Sequence, residues 1–313
     1  MPLLEISDLS VDFKTAGGQF RAVDNVSLTV DRGEILIGDP AGDHVALRLG
    51  PVARRETIDR QFDWYWRRLR AFDRKFDRIV SANAGLTARL NAGGLRHVAT
   101  HPMGVEVGRF SPALRDEKLR ARMLARCALP SDATLLLGIG RHAPEKRWPL
   151  VIDAVTAAGL ERPVGLILVG DGRERARIVR AINGNPHIQL LSPIADRAAI
   201  ARLLASADTL VHGCEAETFC MVAAEARASG LPIVVPDTGG AADHARGGTG
   251  SLYPAANRTG AAEILARHIA ELPRMRARAR MRATEVRTMD RHFEALFADY
   301  AALGTGMAGR WAA

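Results

Sequence analysis

Cysteine is scarce in this chain: Cys127, Cys214 and Cys220 are its three among 313 residues. Their spacing forms neither an even disulfide framework nor a metal-ligand pattern, and a reducing cytosol is the simplest setting for them. Aromatic residues make up 5% of the chain and no nucleic-acid module is recognisable, so nucleic acid is not an expected partner. No run approaches the roughly 20 consecutive apolar residues that cross a bilayer. The opening MPLLEISDLSVDF places acids where a secretory signal carries basic residues, so neither export nor a membrane span is expected. What is present, 47% hydrophobic and 25% charged, excludes a disordered tail, a collagen-like repeat and a disulfide scaffold. The length suits two domains with ample core.

The formal net charge of +8 is unevenly placed: −3 over residues 1–38, +8 over 39–130 and +3 over 131–313. Residues 3–37 alternate like short strands around turns at Gly17-Gly18 and Asp31-Arg32-Gly33, which predicts a small β-meander. From Ile58 to Val80 the apolar residues Phe62, Trp66, Leu69, Phe72, Phe76 and Ile79 recur at helical spacing, and a second helical run covers Asn83 to Leu90. After Pro130 strands and helices alternate: strands at 133–140, 164–172, 188–193, 209–213, 231–236 and 250–254, with helices at 150–158, 173–182, 199–207 and 219–230 between them. Residues 261–302 read as helix. Such alternation predicts right-handed βαβ units, an α/β fold with a doubly wound parallel sheet.

Two constellations carry chemistry. In GIGRHAPEK a strand ends in Gly138-Ile139-Gly140, followed by Arg141 and Lys146. Strand ends of a parallel sheet face the ligand crevice, glycine lets backbone approach an anion, and the two cations suit a diphosphate. The alternative is a tight turn with solvated cations. In EAETFCMVAAEA, Glu217 and Glu225 follow the strand TLVHG. If helix begins at Thr218, Glu217 sits at its edge and Glu225 two turns on, nearly on one face, where carboxylates accept hydrogen bonds from sugar hydroxyls. The alternative is an acid complementing the helix dipole beside a solvated one. His142, His212 and His244 fall near the same place, either as ligand contacts or as histidines satisfied by local backbone.

Together these segments resemble the donor-binding half of the retaining glycosyltransferases of family 4, which have the GT-B fold. The match runs in chain order. THPMGVEVGRF (100–110) resembles the interdomain link, GRHAPEK (140–146) the phosphate segment, and LILVGDG (166–172) the strand ending in G-D-G. ETFCMVAAEA resembles the E-x₇-E motif, DTGGAADHARGGTGSLYP (237–254) the glycine loop, and MDRHFEALFADY (289–300) the closing helix. The resemblance implies that Arg141 and Lys146 hold the diphosphate of a nucleotide-sugar, that Glu217 lies beside the donor sugar, and that Glu225 binds the ribose. Gly138, Gly140, Gly170, Asp171, Gly172, Thr218, Phe219, Cys220, Gly239 and Gly240 would line the donor site. Asp243 stands where the family often has Glu, and Cys220 where it usually has glycine, adding a Cβ and a sulfur beside the donor. The reaction implied is transfer of a UDP- or GDP-linked sugar to an acceptor hydroxyl with retention, in cell-envelope polysaccharide chemistry. It needs no metal and no cofactor.

Residues 1–38 instead resemble the opening strands of an ABC transporter ATPase, but the chain continues IGDPAGDHVALRLG where a P-loop would need Lys and Ser/Thr to wrap phosphates, so ATP hydrolysis is not expected. His44 has no counterpart among the family's motifs. By resemblance, residues 39–98 are a shortened acceptor domain, with FDRIVSANAGLTARL (76–90) its last strand and helix; 99–288 are the donor domain, and 289–313 the closing helix and tail. QFDWYWRRLRAFDRKF mixes aromatic and basic residues, either as a face for anionic lipid across residues 60–79 or as a helix packing its aromatics inward. The expected acceptor is an unspecified sugar or lipid-linked molecule. The expected setting is the cytoplasm, with or without peripheral attachment to the inner membrane face. A nucleotide-binding fragment without transfer activity is the rival reading.

Overall fold

A computed structural model describes the strands at residues 4–15, 18–30 and 34–36, residue 63, and residues 66–106 and 108–308. The turns expected at Gly17-Gly18 and Asp31-Arg32-Gly33, the segment Asp39–Asp43, His44, and the start of the helix expected from Ile58 lie at least partly outside the described residues. The chain falls into two compact units that part after Thr100.

In the first unit, β1 (Leu4–Thr15) and β2 (Gly18–Val30) form an antiparallel hairpin running from Leu4↔Val30 to Thr15↔Gly18. The third strand does not extend this meander. β3 (Glu34–Leu36) joins β4 (Arg78–Ser81) and β5 (Val98–Thr100) in a parallel sheet ordered β3-β4-β5. Helix α1 (Ala84–Ala92) starts where the Asn83 side chain accepts from Leu86 N–H at 2.7 Å, satisfying an orphan donor of the first turn. Its buried Leu86 and Leu90 pack with Leu69, Ile79 and Leu95, and Trp66 covers the face of Gly93, where a Cβ would meet the indole. Residues 66–73 are helical, with Leu69 inward and Phe72 exposed under the Arg68 guanidinium, 5.7 Å from the ring centre.

The second unit is built on six parallel strands: β6 (Thr134–Ile139), β7 (Val164–Val169), β8 (Ile188–Leu191), β9 (Thr209–Val211), β10 (Ile233–Pro236) and β11 (Gly250–Tyr253). Their order is β11-β10-β9-β6-β7-β8, so the chain winds outward from β6, then returns to the other side of β6 and winds outward again. The strand sequences are near-continuous apolar runs because helices cover both faces. α2 (Glu117–Arg126) precedes the sheet. α3 (Trp148–Gly159), α4 (Arg175–Ile182), α5 (Arg197–Ser206), α6 (Met221–Ala228) and α7 (Gly240–Ala245) are the crossovers. α8 (Arg258–Ala270), α9 (Leu272–Met281) and α10 (Met289–Ala308) complete it. The alternating Arg274–Arg282 stretch is helical, as its helix-favouring composition predicts. Trp148, Ile152, Leu166, Leu168 and Ile178 are buried in the core between sheet and helices. Among the described residues no helix is long and apolar enough to cross a membrane.

At the N-terminal edge of the sheet, the carboxylate of Asp208, 1% exposed, receives Arg120 at 2.6 Å, Arg276 at 2.9 Å, Arg115 at 3.3 Å and the Leu135 N–H at 2.9 Å. Arg115 also donates to the carbonyls of Ala205, Ser206 and Ala207, satisfying the last turn of α5. One carboxylate thus joins β6, β9, α2 and α9.

Two buried histidines make stability depend on pH. His268 bridges Thr209 Oγ1 and Ser251 Oγ at 3.1 and 2.8 Å, and His244 lies 2.7 Å from the carbonyl of Phe219. Burial pushes both imidazoles down to about 4. The unfolded chain therefore takes up their protons first, near pH 6.5. Their contribution is complete above that pH and is lost as pH falls toward 4, at about 1.4 kcal/mol per pH unit for each group. We expect the urea midpoint to fall between pH 7 and pH 5, and His268→Gln to flatten that dependence; a slope identical to the parent's would refute it.

Candidate functional site

β6 and β9 are neighbours in the sheet but lead to helices on divergent paths, which opens a crevice beyond their C-terminal ends. The loops that follow them, residues 140–147 and 212–220, build the site. They touch closely: a Cβ on Gly213 would come within 2.6 Å of the Lys146 carbonyl oxygen. Arg147, held at φ 47, pairs with Glu215 at 3.0 Å and locks the two loops together.

Between these loops Lys146 Nζ donates to Glu217 Oε1, and His212 Nε2 lies 3.1 Å from the same oxygen. Burial by itself would push the Glu217 carboxyl up, but the His212 hydrogen bond and the Lys146 charge override it and hold the group at about 2. Burial likewise works against the Lys146 ammonium, and Glu217 outweighs it, leaving Lys146 more basic than usual. His212, enclosed under Trp148 with ring centres 6.3 Å apart, is pushed down by burial, so it is the neutral imidazole that donates to the carboxylate. Its backbone carbonyl accepts from Tyr253 Oη at 2.8 Å.

The other expected residues divide by location. Arg141 lies at the rim, 79% exposed and 3.2 Å from Glu145, while its carbonyl accepts from the Trp148 indole at 3.0 Å. Gly138 lies inside β6 and makes room for Trp148, since a Cβ there would come within 2.8 Å of that ring. Gly140 and Gly170 join the loops after β6 and β7: a Cβ on Gly170 would meet the Gly140 carbonyl oxygen at 2.0 Å, and one on Gly172 the His142 carbonyl oxygen at 2.6 Å. Asp171 is exposed and receives the Gly172 N–H at 2.8 Å. The buried His142 imidazole has no partner on either ring nitrogen, although its backbone is held by Asp171 and Glu174. Gly239 and Gly240 support the 215–219 backbone: a Cβ on Gly239 would come within 2.3 Å of the Glu215 carbonyl oxygen, and the Gly240 N–H donates to the Glu217 carbonyl at 2.6 Å. Phe219 is buried with its ring 4.7 Å from His244, and Thr218 is half-buried beside it.

One expectation is corrected. The helix does not begin at Thr218, because Cys220 adopts φ 69 and ψ 72, a left-handed conformation that interrupts it, and α6 starts at Met221. Glu217 therefore projects from a loop, and Glu225 from α6, rather than both from one helix face. The buried Cys220 holds this conformation against the steric preference of an L-residue, which costs about 1–3 kcal/mol. Cys220→Gly is expected to leave the melting temperature level or higher, and Cys220→Val, β-branched at positive φ, to lower it through a stability loss of about 2 kcal/mol; equal melting temperatures for the two variants would contradict this.

The approach of His212 to Glu217 was not legible in the sequence, where His212 reads as a strand-end residue. Nor was the pairing of Glu225 Oε1 with Arg197 Nη2 at 2.6 Å, since it joins the start of α5 to the middle of α6, 28 positions apart. Ligand atoms of His212, Cys214 and Glu217 lie within 4.8 Å of one another, a grouping of metal-binding residue types. Lys146 already places a positive charge on the shared carboxylate, and burial pushes the Cys214 thiol up to about 11, so a divalent ion would have to displace both a cation and a proton. The site's own charge balance suits an anionic ligand that draws Lys146 away from Glu217.

Residues 133–272 match the family model "Glycosyl transferases group 1". A GDP-mannose-dependent alpha-mannosyltransferase of Mycobacterium tuberculosis is 36% identical over 180 residues, 58% of this chain and 44% of that protein. A GDP-mannose-dependent alpha-(1-6)-phosphatidylinositol dimannoside mannosyltransferase of the same species is 32% identical over 232 residues, 73% of this chain and 58% of that protein. The chain thus spans about half the length of the curated relatives it matches. Sucrose-phosphate synthase from Thermosynechococcus elongatus superposes with a TM-score of 0.64 at 20% identity, covering 83% of this chain and 66% of that one, which places the fold among its structural kin. Residues 133–272 are thus similar to the group 1 glycosyl transferases, the class to which the family 4 resemblance pointed.

Proposed function

We propose that the protein binds a nucleotide-sugar in the crevice beyond β6 and β9 and transfers the sugar to an acceptor hydroxyl with retention of configuration. The observation that carries this is the Lys146–Glu217–His212 cluster at the point where the strand order reverses. An arriving diphosphate offers Lys146 a doubly charged partner in place of Glu217, and the released carboxylate is then an acceptor for a sugar hydroxyl. Arg141, exposed at the rim, reaches the same phosphates. As the donor's C–O bond to the diphosphate breaks, both cations neutralise the leaving group, a charge interaction worth several kcal/mol in a water-poor site. The acceptor oxygen attacks from the face the leaving group departs, and its proton passes to the departing phosphate. Glu225 takes the ribose, and residues 99–288 act as the donor domain.

The relatives' names make GDP-mannose the first donor to test and a lipid-linked sugar the first acceptor. Contact with an anionic membrane through residues 60–79 is part of this reading, supported by exposed Phe72 beside Arg67 and Arg68, and it places the protein at the inner face of the membrane. Calorimetric titration with GDP and UDP, followed by an assay with GDP-mannose, tests the proposal. Binding of neither nucleotide rejects it. Binding without sugar transfer or donor hydrolysis supports the rival, a nucleotide-binding fragment.

A further inference from the structure

Three segments far apart in the sequence meet at Arg197. Phe110 closes the segment after the first unit and is buried; Arg197 opens α5 just beyond the C-terminal end of β8; Glu225 lies in the middle of α6 and is 5% exposed. The Arg197 guanidinium carbon stands 5.2 Å from the centre of the Phe110 ring, while Nη2 donates to Glu225 Oε1 at 2.6 Å. The aromatic face fixes the plane of the guanidinium and the carboxylate fixes one edge, so its rotation is restrained about both. Its side chain is nonetheless 46% exposed, leaving other N–H donors toward solvent.

Burial pushes the Glu225 carboxyl up, and the Arg197 hydrogen bond and charge act against that shift. A neutral carboxyl carries its own proton and is a poor partner for a diol, whereas an ionised one accepts from both hydroxyls. We propose that Arg197 is a positioning residue of the donor site, which orients the Glu225 carboxylate and keeps it an acceptor for the vicinal ribose hydroxyls of the nucleotide. The inference rests on the reading of Glu225 as the ribose ligand. It assigns Arg197 an effect confined to the ribose end: losing the guanidinium weakens recognition of the diol and leaves contacts to the diphosphate in place.

The test is a thermodynamic cycle between protein and ligand. Dissociation constants for GDP and for 2′,3′-dideoxy-GDP are measured by calorimetry on the parent, Arg197→Ala and Arg197→Lys, with melting temperatures as a check on folding; the uridine pair replaces them if the parent prefers UDP. The parent should favour the diol-bearing nucleotide about tenfold. Arg197→Ala should lose about that factor for GDP and little for the dideoxy compound, so that the ratio collapses toward one, and Arg197→Lys should recover part of it. A loss that is equal for both nucleotides, or no loss, overturns the assignment, as does a parent that does not distinguish them. Should Arg197→Ala fail to fold, the same ratio is read from Arg197→Lys. A parent that binds neither GDP nor UDP rejects the donor-site reading itself, an outcome distinct from a parent that binds normally with variants of unchanged ratio.

Discussion

Lys146→Ala is expected to weaken GDP or UDP binding by roughly ten- to a hundredfold, the loss of a charge-assisted contact worth about 1.5–3 kcal/mol. Two effects act on the variant, and they have the same sign. Lys146 is the cation best placed to receive a diphosphate, so its removal takes away attraction. It also removes the counter-charge from Glu217, whose carboxylate is 18% exposed and would then face an incoming anion with His212 as its remaining neighbour in the cluster. Both changes disfavour the nucleotide. Glu217→Gln separates them: it frees Lys146 without adding a naked carboxylate, so nucleoside diphosphate binding should hold or tighten while transfer falls. An unchanged dissociation constant in Lys146→Ala, measured by titration calorimetry, would remove Lys146 from the site.

The same substitution changes the response to acid. Glu217 is held at about 2, below the usual carboxylate range, so it contributes stability above about pH 4.5 that is lost as pH falls toward 2. Without Lys146 the carboxyl rises toward its ordinary value, so this contribution shrinks while its loss still begins near pH 4.5. The stability of Lys146→Ala, followed by urea midpoint, should therefore fall less steeply between about pH 4.5 and about pH 3 than the parent's; an equal slope would contradict it.

Asp208→Asn should be the most damaging exchange to the fold. The parent carboxylate is shared by Arg115, Arg120 and Arg276 and accepts the Leu135 N–H, all at the N-terminal edge of the sheet. The amide keeps the shape but not the charge, so three guanidinium groups converge without their counter-ion. Removing one partner of a buried ion pair costs about 3–5 kcal/mol, and in a unit of this size that lowers the melting temperature on the order of 10 °C. Nucleotide affinity measured well below the melting point should stay at the parental value, because the crevice lies at the opposite, C-terminal edge of the strands. A melting temperature within a degree of the parent's would refute the role given to Asp208.

How far the sequence could be read depended on the range of the interaction. The strands 134–139, 164–169 and 233–236 were legible because a parallel strand covered on both faces is a continuous apolar run, a property of neighbouring residues. Glu34–Leu36 was legible as a strand but not as a member of the parallel sheet, since pairing partners are not encoded in local alternation. The start of α6 was misplaced by three residues because Thr218 and Phe219 carry no signal against helix; the left-handed turn at Cys220 is imposed by its surroundings.

The candidate site divides in the same way. The residue types were fixed by the sequence itself: cations after a Gly-x-Gly strand end, two carboxylates eight positions apart after the next central strand, and a chain with few cysteines and no spanning segment. What only the tertiary structure decided was which charge meets which. Lys146 meets Glu217 across 71 positions because β6 and β9 are adjacent, and Arg197 meets Glu225 because the helices after β8 and β9 pack together. Electrostatic pairing acts over a few ångströms in space and has no counterpart in sequence distance, so the chemistry of each group was readable beforehand and its partner was not.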